Sequence, residues 1–421
     1  MIKKTVDYKI FFTILWLVIF WMIMVSSVSV YSSYKVTNMM VASWTIKEAY
    51  NYFYVLRNIW HVIFSLFLLW IIVKIPYVFF EKYSKQFFMW TLFLLLVVLI
   101  MWVTLKWAKW WIIIPFLPSI QPAELLKVSL ILYLSFFFKK YKQSLSSFEN
   151  WFIPFMTIIW ITFFLLALQP DFWTIMVLLP VSMIMFFLAW WNMKHLGVLT
   201  ILGFVLFASI YSLWKYDKTV PNSRNKLSYI TDRVDNFLSD NKTAIKNRTI
   251  NYQTEQALIA IWSGWFGWLW FWQSIQKFGY LPEVQWDFIF SVIVEELWFL
   301  WAFVLCSIYM FIWYRWFYIS TKVKDDFSRN VAIWISSWIL IQAFINIWVN
   351  LNIVPLTWIT LPFISYGWSS LITLMFAIWI LLNISRNMED RPQFERLVRK
   401  NVFLNLWKNI IKVNKRNSLK D

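Results

Sequence analysis

The sequence predicts an all-α polytopic membrane protein with about ten transmembrane helices and one large extracytoplasmic loop between the seventh and eighth. Three observations carry that prediction. The 421-residue chain is 61% hydrophobic and only 14% charged. Apolar runs of about 20 residues, the length that crosses a bilayer core, recur from end to end. Lys and Arg gather on alternate connections, as the positive-inside rule requires. No separate soluble domain is evident, so residues 1–385 read as one transmembrane domain and 386–421 as a basic tail.

The runs fall at about 9–31, 57–76, 87–105, 121–138, 151–168, 172–191, 196–214, 287–313, 329–350 and 365–385. The first is too long, and lacks the small-residue cleavage site, for a removable signal peptide. With the N-terminus in the cytoplasm, that side holds Lys3, Lys4, Lys9, Lys74, Lys82, Lys85, Lys139, Lys140, Lys142, Lys194, Arg315, Lys322, Lys324 and Arg329. The short loops opposite hold Lys35, Lys47, Arg57, Lys106 and Lys109. Both termini are therefore expected in the cytoplasm. From Arg386 the tail carries ten Lys or Arg against four acids, which suits an anionic leaflet. The net charge of +18 thus points to a membrane surface and not to nucleic acid. A single cysteine, Cys306, excludes a disulfide within the chain, and two isolated histidines, His61 and His195, make no metal cluster.

Between spans seven and eight lie about 70 residues, 215–286, far beyond the usual connection of about 4 to 6. The first part is polar and the rest apolar, rich in Gly and Trp. Short amphipathic helices on the membrane surface, shaping a cleft, are expected there. Residues 262–296, WSGWFGWLWFWQSIQKFGYLPEVQWDFIFSVIVEE, run from that Gly/Trp segment through a polar stretch into an apolar helix. This is the pattern of an active-site loop entering a membrane helix.

The composition of that segment needs its own account. The chain has 33 Trp and only 6 Gly, where an ordinary protein has roughly 7% Gly. Five of the 11 residues from Trp262 to Trp272 are Trp. Tight turns that need φ > 0 accept Gly and penalise a bulky aromatic. Reading these Trp as Gly yields a plausible tight loop, so the source is expected to read UGA as glycine. UGA codons are expected at Trp262, Trp265, Trp268, Trp270, Trp272, Trp348, Trp358, Trp368 and Trp379, and UGG at Trp111. The alternative is a genuinely Trp-rich interfacial protein.

A charge at membrane depth is costly and marks function. Glu124 and Lys127 lie three apart at the start of span four, so on a helix they share a face and can pair; a purely structural ion pair is the alternative. Asp171 follows a proline at the start of span six and reads as an N-cap. Glu295 and Glu296 are adjacent within span eight, so one of them must face protein or water. Asp287, at the mouth of the long loop near Glu283 and Lys277, reads either as an N-cap or as a functional acid.

Several separated blocks carry a family resemblance. The string from Tyr252 to Phe299, YQTEQALIAIWSGWFGWLWFWQSIQKFGYLPEVQWDFIFSVIVEELWF, resembles the hallmark loop of the SEDS (shape, elongation, division and sporulation) family, the FtsW/RodA-type peptidoglycan glycosyltransferases. KWAKWWIIIPFLPSIQPAELLKVSLILYLS resembles the family's Asn-Gly-Ala-x-x-Trp-Ile segment followed by Gln-Pro-Ser/Ala-Glu-x-x-Lys. There Trp107 stands at a Gly position and Trp111 at a Trp position. LQPDFWT resembles Gln-Pro-Asp-x-Gly-Thr. INIWVNLNIVPLTWITLPFISYGWSSL resembles the C-terminal signature, with Trp348, Trp358 and Trp368 at Gly positions. KFGYLPE and LPFISYGWSSL look more like the division branch, FtsW, than the elongation branch. Trp286 stands where the family has Thr or Ser, which questions any role for position 286 but not for Asp287.

The resemblance implies polymerisation of lipid II, an undecaprenyl-pyrophosphate-linked disaccharide pentapeptide, into glycan strands at the outer face of the cytoplasmic membrane, during septal cell-wall synthesis. It implies Asp287 as catalytic base, with Gln121, Glu124, Lys127, Arg233, Gln256, Lys277, Glu283, Ser365, Ser369 and Ser370 binding substrate or supporting the site. It further implies a divalent cation, Mg²⁺ or Mn²⁺, and as partners a monofunctional class B penicillin-binding protein transpeptidase and other division proteins. The chemistry suits these residues, because a sugar hydroxyl attacking an anomeric carbon needs a base, and a departing diphosphate needs positive charge. Two other readings stand beside it. A flippase or transporter of lipid-linked precursors would concentrate its ionisable groups at the bilayer midplane. A scaffold for division proteins would not depend on Asp287.

Overall fold

The structure, a computed structural model, describes residues 7–72, 75–100, 111–112, 119–142, 148–169, 171–190, 248–266 and 269–386, with single residues such as Arg233 between 191 and 247. The expected seventh span, most of the polar half of the long loop and the basic tail lie outside the described residues. Among the described residues twelve α-helices follow one another: α1 Tyr8–Val28, α2 Val30–Ala42, α3 Phe53–Ile72, α4 Tyr77–Ile100, α5 Pro122–Lys140, α6 Phe148–Leu168, α7 Phe172–Trp190, α8 Arg248–Phe266, α9 Ile289–Leu297, α10 Leu300–Lys322, α11 Asp326–Asn350 and α12 Trp368–Ser385. Among the described residues the only extended pairing is one antiparallel bridge, Ile112 with Ile120.

Five of these helices are long and apolar enough to cross a membrane: α1, α4, α10, α11 and α12. Shorter apolar stretches lie at Phe53–Phe67, Phe152–Leu168 and Phe172–Phe186. Helix ends follow local chemistry. Asp7 caps α1 by accepting from the amides of Lys9 and Ile10, and Asp325 caps α11 by accepting from Ser328 N. Helix α5 opens on Pro122 with Glu124 in its first turn and closes on Lys139 and Lys140, which complements the helix dipole at both ends.

Helix α11 is the central post, packed against α5, α7 and α10. At the end of the bundle that holds the N-terminus, ion pairs fasten helices that are distant in sequence. Lys139 bonds both Glu81 (2.5 Å) and Asp325 (2.6 Å). Asp7 receives Arg315 Nε at 2.8 Å, and its own amide donates to Ser385 Oγ.

The expected eighth span, 287–313, is not one helix. It is the nine-residue α9, a break at Trp298, and then α10. Nine residues rise about 14 Å, under half of an apolar bilayer core of about 30 Å. Residues Ile289 to Glu296 are all buried, so α9 lies inside the protein. Trp298 breaks the chain at φ 77°, ψ 157°. That region is essentially reserved for glycine, which is why an apolar run that reads as one span folds as two helices.

Trp298 is one of four Trp with positive φ, beside Trp44 (58°), Trp270 (63°) and Trp272 (75°). Positive φ in a bulky aromatic is a genuine outlier. The positions are shaped for glycine, two of them within the run whose composition points to glycine. Of the other Trp expected to be glycine, Trp262, Trp265, Trp348 and Trp358 hold their indoles exposed, Trp368 is half-buried, Trp379 is buried, and Trp268 lies outside the described residues. A true glycine shows the same need for closeness: a Cβ on Gly264 would meet the carbonyl oxygen of Val294 at 2.1 Å, so α8 touches α9 backbone to backbone.

A residue held in such a conformation costs about 1–3 kcal/mol. Trp298→Gly is therefore expected to raise the melting temperature of the purified protein in detergent, and mass spectrometry of the native protein to find glycine at 270, 272 and 298. A lowered melting temperature, or tryptophan at these positions in the native protein, contradicts the assignment.

Candidate active site

The site is built where the loop after α8 turns into α9. Glu283 takes a left-handed conformation (φ 57°), and its carbonyl accepts from the amides of Trp286 (3.0 Å) and Asp287 (3.2 Å). This turn delivers Asp287 to the threshold of α9, 6% exposed. Asp287 stands one position before Phe288, the N-cap position of α9, whose side chain makes no capping bond. Two asparagines on α11 grip the backbone here. Asn346 Nδ2 and Asn350 Nδ2 each donate to the carbonyl oxygen of Asp287 at 3.0 Å. Asn350 Oδ1 accepts from Ser291 Oγ at 2.7 Å.

One and two turns back along α11, the same polar stripe reaches the second charged group. Lys127 donates to Glu124 Oε1 at 2.8 Å and to Gln342 Oε1 at 3.2 Å, with its ammonium 5.3 Å from the centre of the Trp338 ring. Both charges are buried, and Glu124 Oε2 has no hydrogen-bond partner among the described residues. Asp171 lies close enough for its carboxylate to feel both charges. It accepts from the amide (3.2 Å) and the hydroxyl (2.9 Å) of Thr174, the bonding of an N-cap.

The remaining sequence-predicted residues fall in different settings. Some tie elements together: Gln121 N donates to Ser369 Oγ, which donates to the carbonyl of Ser119, joining the start of α5 to α12. Ser365 Oγ accepts from Leu361 N, and Ser370 pairs with Thr360 at 3.3 Å, shaping the segment before α12. Arg233 is buried, its guanidinium 4.3 Å from the Trp358 ring centre and its Nη1 donating to Leu356 O at 2.6 Å. Gln256 and Glu283 are half-buried. Lys277 is turned inward, 2% exposed, with its ammonium bonded to Glu296, Ser27 and the carbonyl of Trp272.

Sequence reasoning passed over Gln342, Asn346, Asn350 and Ser27. The first three carried a signal: polar side chains at i, i+4 and i+8 on an otherwise apolar helix share one face. Ser27 carried none, since a serine in an apolar run is common and its partner lies 269 residues away.

The fold and this buried polar site define a polytopic helical membrane protein with an acid held at the margin of the bundle. Comparison with known proteins narrows the class. Residues 8–390 match the FTSW_RODA_SPOVE cell cycle protein family, and the chain belongs to that family. It is 33% identical over 386 residues to the probable peptidoglycan glycosyltransferase FtsW of Wigglesworthia glossinidia brevipalpis, covering 89% of this chain and 92% of that one. It is 29% identical over 338 residues to stage V sporulation protein E of Bacillus subtilis, covering 80% and 88%. A solved structure of a peptidoglycan synthase complex that coordinates polymerization and crosslinking contains a chain of the same fold. That chain superposes with a TM-score of 0.70 at 20% identity, covering 91% of this chain and 98% of its own.

Removing one member of a buried pair leaves an uncompensated charge, typically at a cost of about 3–5 kcal/mol. Glu124→Ala or Lys127→Ala alone should therefore lower the melting temperature and the activity more than the double change Glu124→Gln/Lys127→Met. Wild-type stability and activity in both single variants would remove the pair from the account.

Proposed function

We propose that this protein is a peptidoglycan glycosyltransferase that polymerises lipid II at the outer face of the cytoplasmic membrane, in septal wall synthesis, with both termini in the cytoplasm. The observation that carries this reading is the fixing of Asp287, in a chain whose relatives bear the glycosyltransferase name. A buried acid stands at the mouth of the long loop, on a backbone gripped by Asn346 and Asn350. A base is useful only at a defined distance from the proton it takes, and those two amides define where the Asp287 backbone lies.

In the proposed reaction Asp287 takes the proton from a sugar hydroxyl as its oxygen bonds the anomeric carbon of the neighbouring lipid-linked sugar. The bond from that carbon to the diphosphate oxygen breaks, and the undecaprenyl diphosphate leaves with the electron pair. Among the described residues no three His, Cys, Asp or Glu gather into a metal cage. A Mg²⁺ or Mn²⁺ held by one carboxylate and by diphosphate oxygens needs no such cage, so half-buried Glu283, in the turn before Asp287, is the residue that would hold it, and Asp287 keeps the role of base. Such a cation would neutralise charge on the leaving diphosphate. Arg233 is a cationic candidate among the described residues of the loop, and Glu124 and Lys127 hold the geometry of the bundle beside the site. The solved complex with the same fold couples polymerization to crosslinking, which supports a class B penicillin-binding protein transpeptidase as partner.

Asp287→Asn keeps the size of the side chain but cannot accept the proton. With lipid II, a divalent cation and the partner supplied to the purified protein, this variant should form no glycan strands while remaining folded. Polymerisation at the wild-type rate would refute the catalytic assignment and bring forward transport of a lipid-linked precursor.

A further inference from the structure

The Lys277–Glu296 pair lies outside the reacting groups, yet its place in the chain is unusual. Lys277 Nζ donates to Glu296 Oε1 at 2.8 Å, with the two side chains 1% and 0% exposed. Ser27, in the last turn of α1, joins the pair: its hydroxyl accepts from Lys277 at 2.9 Å and donates to both oxygens of Glu296 at 2.7 and 2.9 Å. The neighbouring Glu295 accepts from Ser274 Oγ at 2.5 Å and Ile275 N at 3.2 Å. Both adjacent carboxylates therefore hold the same loop, and α1 is fastened to it. The helix after α1 also touches the loop, since a Cβ on Gly279 would meet the Tyr31 ring at 2.7 Å.

The pair closes a ring of chain. Asp287 lies ten residues beyond Lys277 and nine before Glu296, at the ring's far point. Half of the ring is the turn ending at Asp287, and most of the other half is the buried α9. The ring is held at two places: by Asn346 and Asn350 at Asp287, and by Lys277, Glu296 and Ser27 at its closure. Deep burial of a lysine is tolerated only where its charge is answered, so the closure specifies one register of the loop against α9.

We infer that Lys277, Glu296 and Ser27 are positioning residues that set the placement of Asp287, and that Lys277 does not bind the diphosphate. This rests on Asp287 being the base. Loss of the closure lets the turn shift against α9, and a misplacement of about 1 Å at a reacting group can lower the rate about 100-fold. The substrate keeps its own contacts, so its binding is unchanged.

The test compares Lys277→Met, Glu296→Gln, the double variant and Ser27→Ala in the glycine-restored protein with its partner, measuring kcat and KM for lipid II and hydrogen exchange at the amides of residues 284–288. The double variant and Ser27→Ala leave no unpaired charge and remain informative if the single charge variants fail to fold. The expected result is a kcat lowered about 10- to 100-fold in the double variant, a smaller fall in Ser27→Ala, KM unchanged within about twofold, and faster exchange at 284–288. The folded single variants should each fall as far as the double, because each opens the same ring. A double variant with wild-type kcat and wild-type exchange overturns the inference. So does a KM raised by Lys277→Met and not by Glu296→Gln, which would place Lys277 on the substrate. If the unmodified protein makes no glycan, the glycosyltransferase reading fails, and the exchange measurement alone still decides whether the closure holds Asp287 in place.

Discussion

A polar group inside an apolar helical bundle has no water to turn to, and it must find its partner within the protein. Most of what is specific in this structure follows from that constraint. Helix α11 answers it with one stripe of amides. Gln342 meets Lys127, and Asn346 and Asn350 meet the backbone at Asp287. Each amide has both a donor and an acceptor face, so each can join two elements at once. Asn350 does so, giving its Nδ2 to Asp287 and receiving Ser291 on Oδ1. The apolar contacts supply most of the buried area, but they are interchangeable among many packings. Register comes from the amides and ion pairs.

The two buried charge pairs divide the work. Glu124 and Lys127 lie one turn apart on a single helix, and they bear on their surroundings through Gln342 and the nearby Asp171. Lys277 and Glu296 join two segments and a third helix, and between them lies the acid assigned to chemistry. The opposite end of the bundle uses partly exposed pairs, Lys139 with Glu81 and Asp325, whose contribution is screened by solvent. Depth thus separates the charges that fix the site from those that trim the surface.

Much of this was legible in the sequence. The apolar runs named the fold class, and the lone acids and lysines within them, Glu124, Lys127, Asp287 and Glu296, are the residues around which the structure arranges its polar contacts. What was not legible depended on distance in the chain or on backbone conformation. Ser27 has meaning only through a partner in α9. Lys277 was placed among the residues binding substrate or supporting the site because its charge was visible, whereas its burial was not. The single span expected at 287–313 failed because a strong apolar run hides a break when the breaking residue is written as tryptophan: at Trp298 the backbone asks for glycine. The backbone at Trp270 and Trp272 also takes positive φ, in the run where the shortage of glycine had raised the expectation of glycine from composition alone.

The central claim is that the lipid-linked sugar reacts at Asp287, at the mouth of the loop, and not at the charges deeper in the bundle. A structure of the glycine-restored protein with lipid II bound tests this most directly. The account predicts a sugar hydroxyl within about 2.6–3.2 Å of the Asp287 carboxylate, with the diphosphate beside it and the lipid running down the outside of the bundle. A headgroup seated instead against Glu124 and Lys127 in the middle of the bundle, out of reach of Asp287, would contradict it.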